Sequence, residues 1–230
     1  MTELVTFPTG DLAVNTYFIP LIKPCGSGPV PVIVADPGDS GEQIVKELRT
    51  RNMRAVAVAL THRHFDHVLG LAAVCGAFPG IPVGIHPADK NGFGPDMDQA
   101  FLTEMRLYGI AGLGEAMQGL PAPDVLLGEG AALDKLIPQE TPELRAAAAL
   151  WRTLHTPGHT PGSVCFYNQT ENLLLSGDTL FRGTWGRTDL TGGSEKDMRA
   201  SLKRLFELPD NTRVFTGHEA YGFSLAMDKY

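Results

Sequence analysis

The sequence predicts an α/β protein folded as a layered sandwich, and three observations carry that expectation. About nine short, apolar, β-branched segments are bounded by Pro, Gly and Asp, and helical patterns interleave with them. The polar stretch Asn168-Gln169-Thr170-Glu171-Asn172 joins two of these segments as a hairpin turn. Antiparallel pairing at that point, with helices near two groups of strands, argues for stacked layers and against a purely alternating parallel sheet.

In chain order, strands are expected at 4–7, 15–22 and 30–35. Ser40 then stands where it would cap a helix presenting Ile44, Val45 and Leu48 on one face. A strand at 55–60 leads into a second helix whose buried face would hold Val68, Leu71, Ala72 and Cys75, and a strand at 81–85 follows. Residues 90–150 break the rhythm, being rich in Gly, Pro and Ala, with a helical patch near 99–108 that carries Phe101, Leu102 and Met105. This stretch reads as a partly helical insertion, either a cover for the sheet or a wall of the substrate site. Strands at 150–154, 164–167 and 173–175 come next. Ser194 and Asp197 then resemble a capping box ahead of Met198, Leu202, Leu205 and Phe206, and 213–216 is the last strand. With no internal repeat, the expectation is one domain over residues 1–230.

At 230 residues the chain can bury about 70% of its unfolded surface. A composition 43% hydrophobic, 20% charged and 8% aromatic fits a compact enzyme or binding domain and excludes disordered and fibrous classes. Net charge of -7 argues against nucleic acid as a partner. Cys25, Cys75 and Cys165 are odd in number and lack C-x-x-C spacing, which suits reduced thiols in a cytoplasmic protein. No signal peptide and no bilayer-spanning apolar run is legible, so no membrane association is expected.

Chemistry concentrates in Thr61-His62-Arg63-His64-Phe65-Asp66-His67, directly after the strand at 55–60. In a chain with only 7 histidines, H-x-H-x-D-H is a poor candidate for accident. Alternation along an extended segment would make His62, His64 and Asp66 converge while His67 turns toward the next helix, giving two adjacent ligand sets. Imidazole and carboxylate donors without thiolate suit zinc, iron or manganese. His159, Asp178 and His218 each lie just past an expected strand end, where α/β folds assemble their sites. Seven candidate ligands at four strand ends make a two-metal site. His86 and His155 read as surface or supporting residues, and Asp36 in Ala35-Asp36-Pro37-Gly38 as a turn residue that supports the site.

The set His62-x-His64-x-Asp66-His67, His159, Asp178 and His218 resembles the metallo-β-lactamase superfamily, across almost the whole chain. Gly177-Asp178-Thr179-Leu180-Phe181 and the ending Gly217-His218-Glu219 resemble, more narrowly, its glyoxalase II (hydroxyacylglutathione hydrolase) branch. The resemblance implies a four-layer αββα sandwich with two divalent ions, zinc foremost and iron or manganese as alternatives. It implies one ion on His62, His64 and His159, a second on Asp66, His67 and His218, and Asp178 bridging, with Asp66 and Asp178 acting in catalysis. Glyoxalase II itself continues into a helical domain with glutathione contacts, whereas this sequence ends at Tyr230.

The implied activity is hydrolysis of a small-molecule thioester of the hydroxyacylglutathione kind. A thiolate with pKa near about 8.5 leaves without a strong general acid, so no other nucleophile or acid is required. Arg187, in a Gly-rich stretch after Asp178, matches a basic substrate-contacting position of glyoxalase II and offers a planar fork to a carboxylate; a structural pair with Asp189 is the other reading. Gly186-Arg187-Thr188-Asp189 and Gly222-Phe223 are also similar to persulfide dioxygenases, which would use His62, His159 and Asp178 for one iron. Lactonase and phosphodiesterase activities fit the same ligand pattern.

Overall fold

The computed structural model describes residues 3–24 and 26–227. Strands β1 (Val5–Thr9), β2 (Val14–Pro20), β3 (Val30–Ala35), β4 (Met53–Ala59), β5 (Val83–Ile85) and β6 (Val125–Leu126) form one sheet in that order. Its first three strands pair antiparallel and the rest parallel. Next come β7 (Trp151–His155), β8 (Val164–Asn168), β9 (Leu173–Gly177), a two-stranded ribbon of β10 (Leu180–Phe181) and β11 (Thr184–Trp185), then β12 (Arg213–Thr216) and β13 (Phe223–Ser224). The second large sheet runs β13-β12-β9-β8-β7, with β12 parallel to β9 and the other pairs antiparallel. The helices are α1 (Gly41–Thr50), α2 (Phe65–Val68), α3 (Leu71–Ala77), α4 (Gln99–Leu107), α5 (Ala111–Gln118), α6 (Pro142–Ala148) and α7 (Glu195–Leu205).

Strand alternation divides the apolar residues among three packed zones. Ile33 and Ala35 of β3 face Phe166 of β8, Leu175 of β9 and Phe215 of β12 in a core between the sheets. Val32 and Val34 point the other way, onto Ile44, Val45 and Leu48 of α1 and Leu71 and Val74 of α3. Cys165, Tyr167, Leu174 and Val214 meet Met198, Leu202 and Leu205 of α7. Helix, sheet, sheet and helix therefore stack as the expected αββα sandwich. A register shift between Val32 and Ile33 puts Ala57, and not Val56, opposite Ile33, so both Val56 and Ala57 enter the middle core.

Several local expectations are corrected. Ser40 occupies the N-cap position of α1 but makes no side-chain cap, because it is held at φ 71° and its N–H donates to Asp39 Oδ1 instead. The helix expected after the histidine motif is two helices, broken at Leu69 and Gly70. Gly70 packs so closely on Pro37 and Gly38 that a Cβ would strike their carbonyls. Restarting the helix at Leu71 shifts its phase, so Val74 is buried and Ala72 faces solvent. Ser194 does cap α7, accepting the Asp197 N–H at 3.2 Å. The reciprocal half of a capping box is not made, since the Ser194 N–H donates to Gly158 O. Within residues 90–150, Phe101, Leu102 and Met105 pack against the first sheet, and Phe101 and Met105 also line the cavity described below.

Candidate metal centre

All seven predicted ligands are brought together where strand ends of both sheets open on one edge. His62 and His64 follow β4, His159 follows β7, Asp178 follows β9 and His218 follows β12. The expectation that Asp66 would converge with His62 and His64 is corrected. Asp66 lies with His67 in α2, and the helical turn carries both carboxylate and imidazole toward His218. Donor atoms within 4.8 Å of one another define three groups among the described residues: His62 with His64 and His159; His62 with His67 and Asp178; and Asp66 with His67 and His218.

The donor chemistry fits a cation. His64 Nδ1 and His159 Nε2 face each other at 2.7 Å, while His62 Nε2 and Asp178 Oδ1 are buried without any hydrogen-bond partner. Buried polar atoms left unpaired are costly unless something fills the gap. Asp178 lies between the clusters, with Oδ1 at 3.4 Å from His67 Nε2 and Oδ2 at 3.4 Å from His159 Nε2. Its approach depends on Gly217, where a Cβ would collide with Asp178 Oδ1.

A second layer fixes which imidazole nitrogen is offered. Asp36 accepts from His67 Nδ1 at 3.0 Å and from the Thr61 hydroxyl at 2.6 Å, and that hydroxyl lies 3.0 Å from His62 Nδ1. His159 Nδ1 donates to Arg187 O at 2.8 Å and His218 Nδ1 to Leu12 O at 2.9 Å. With Nδ1 occupied as a donor in these four residues, each turns its Nε2 inward, the atom it would offer to a cation on losing a proton. The sequence placed Asp36 as a supporting turn residue, and the structure shows it gripping His67. The Leu12 and Arg187 carbonyls were not foreseen, since backbone acceptors leave no trace in residue type.

The two clusters differ in proton affinity. Burial, reinforced by neighbouring imidazoles, holds His62 well below the ordinary imidazole value and brings His64 down to about 3. Burial also opposes a charge on His67 and His218, but the Asp178 and Asp66 carboxylates outweigh it, lifting His67 well above its usual range and His218 to about 10. Asp66 and Asp178 stay below the ordinary carboxylate value against the pull of burial, chiefly because His67 is near.

Arg187 lies at the rim of a cavity of about 530 Å³ above the clusters. Its guanidinium donates from Nε and Nη2 to the two oxygens of Asp189, each at 2.8 Å, and both side chains are well exposed. His86 and His155 stack on each other with centroids 3.9 Å apart and belong to none of the three donor groups. Cys75 and Cys165 are free thiols, each pushed up to about 11 by burial. Cys25 lies outside the described residues. No helix among the described residues is long and apolar enough to cross a membrane.

An αββα sandwich with His and Asp clusters at its open edge defines a class of metal-binding proteins. The metallo-beta-lactamase superfamily profile matches residues 10–218, and the chain belongs to that superfamily. It is 33% identical over 213 residues to a probable metallo-hydrolase of Bacillus subtilis, covering 92% of this chain and 87% of that protein. A hydroxyacylglutathione hydrolase of Aeromonas hydrophila is 31% identical over 187 residues, 81% of this chain but 56% of the relative. Among solved structures, a B3 metallo-beta-lactamase superposes with TM-score 0.78 at 30% identity over 98% of this chain and 95% of that one. A protein solved in a di-iron-bound form superposes with TM-score 0.73 at 34% identity, covering 98% and 96%.

Proposed function

We propose that this protein is a binuclear metallo-hydrolase that cleaves thioesters, with compounds of the hydroxyacylglutathione kind as the first substrates to assay. The observation that carries the reading is the placement of Asp178 between two His-rich clusters, one of which also holds Asp66. His62, His64 and His159 would hold one ion, Asp66, His67 and His218 the other, and Asp178 both. Divalent ions so held would lower the pKa of a bound water toward about 7 and polarise a substrate carbonyl. The chain's own residues set the geometry: Asp36, Thr61 and two backbone carbonyls lock the imidazoles, and Phe101, Met105 and Ile110 keep bulk water off one side. Apart from Glu104, every carboxyl and imidazole lining the cavity belongs to a cluster, which suits a leaving group that departs as a thiolate without a proton donor. The relative named as a hydroxyacylglutathione hydrolase supports the thioester bond as the target.

The one-iron dioxygenase reading leaves Asp66, His67 and His218 without a task, although their donor atoms also lie within 4.8 Å of one another. Elemental analysis alongside assays of hydroxyacylglutathione hydrolysis, lactone and phosphodiester cleavage, and persulfide-dependent oxygen uptake tests the proposal. Two ions per chain with thioester hydrolysis is the expected result, and oxygen uptake with one iron would overturn it. Arg187→Ala should raise KM for a glutathione thioester, by about 1.5–3 kcal/mol if Arg187 leaves Asp189 to meet a substrate carboxylate. An unchanged KM leaves Arg187 to Asp189.

A further inference from the structure

The cavity above the clusters has walls that the thioester bond alone does not use. Leu12, Phe101, Met105, Tyr108, Ile110 and Leu190 form most of them, and apart from cluster residues the charged side chains in the lining are Glu104 and Arg187. A substrate carboxylate would have to displace Asp189 from two N–H groups of Arg187. The Glu104 carboxyl faces the same space, with Oε1 accepting the Thr191 N–H at 3.0 Å. Apart from the cluster residues, the lining is thus mostly apolar, with Arg187 already paired to Asp189 and Glu104 the other charged side chain.

At the mouth, Leu12 is 53% and Tyr108 61% exposed, and Leu107, 83% exposed, continues along a groove that shares Glu104 and Tyr108 with the cavity. Large exposed apolar side chains gathered at one opening mark a surface that something apolar covers. A volume of about 530 Å³ falls within the size range of small-molecule pockets and continues into that groove.

We propose that this cavity takes the acyl part of the substrate as a neutral apolar chain, and that Glu104 biases it against chains ending in a carboxylate. The inference rests on the thioester reading for its kinetic test but not for its binding test. Burying one methylene is worth about a fourfold gain. For the metal-loaded protein, kcat/KM on acyl thioesters of N-acetylcysteamine, an uncharged thiol, should therefore climb about three- to fourfold per methylene from acetyl to hexanoyl.

Tyr108→Ala, at an exposed position, should lower the octanoyl-to-acetyl ratio about tenfold. Glu104→Gln should raise the rate on a carboxylate-terminated chain about tenfold relative to a neutral chain of equal length. Binding is followed separately with 1-octanol, which has no carbonyl to cleave, by methyl NMR shifts at Met105 and Ile110. Octanol binding without any thioester cleavage would uphold the apolar site and overturn the thioester reading. Faster turnover of acetyl or hydroxyacylglutathione thioesters than of octanoyl, with no octanol shifts, would overturn the apolar site and leave the thioester reading standing. Preference for an amine-terminated chain over a neutral one would also overturn it, by assigning Glu104 to a cation.

Discussion

Four imidazoles at the centre, His62, His67, His159 and His218, have two jobs each, with Nε2 turned inward and Nδ1 anchored. His67 is the most committed: Nδ1 is held by Asp36, while Nε2 lies 3.3 Å from His218 and 3.4 Å from Asp178. His67→Ala should lower metal content from two ions per chain to about one and severely depress hydrolysis; two ions retained on elemental analysis would refute the assignment. The seven inward-facing residues were legible in the sequence because their types and strand-end positions repeat. Their carbonyl partners were not, as any residue supplies a carbonyl. The stacked His86 and His155 pair gives a pH signature away from the centre. Burial, then His155, pushes His86 from 6.5 down to about 4. Between those values the unfolded chain binds the extra proton, so the stability His86 confers is complete above 6.5 and is lost as pH falls toward 4. His86→Asn keeps an acceptor for the Ala88 N–H and removes the titration, so its melting temperature should fall less steeply than wild type's across that window.

Among the elements, loops carry the site and a buried network holds the loops. Asp89, wholly buried after β5, accepts from the Arg63 N–H at 3.2 Å, the Thr160 hydroxyl at 2.6 Å and the Gly162 N–H at 2.9 Å. It therefore ties the His62–His64 segment to the loop bearing His159. Arg63 completes the link, with Nε 3.9 Å from Asp89 and its guanidinium over the Phe101 ring at 4.6 Å. Asp89→Asn should cost about 2–4 kcal/mol, read from denaturant midpoints, by leaving Arg63 buried without its charge partner. Long alternating strands such as β3, β4 and β8 were readable within two residues at each end. The two-residue strands β6, β10, β11 and β13 were not, since so short a run shows no period. Helix α6 did announce itself, through Thr141 accepting the Leu144 N–H and Pro142 in the first turn, a start signal that the Ala-rich composition obscured.

Across the whole molecule, the layered class and the shared edge followed from the order of strands and helices, whereas the way residues 90–150 wrap the sandwich did not. That segment feeds both inner and outer zones, with Leu133 and Leu136 in the middle core and Met117 in the outer one, a division set by tertiary packing alone. The seam between the sheets has a kinetic meaning. His62, His64, Asp66 and His67 come from the first sheet and His159, Asp178 and His218 from the second, so neither half of the chain owns a complete donor set. A complete donor set exists only once the halves have docked, so we expect loading to be a late event on the folding path. Metal should then leave the refolding arm of a chevron plot in place and slow the unfolding arm, as stabilisation absent from the transition state does. Refolding accelerated by metal would mean that the two halves meet before the barrier is crossed.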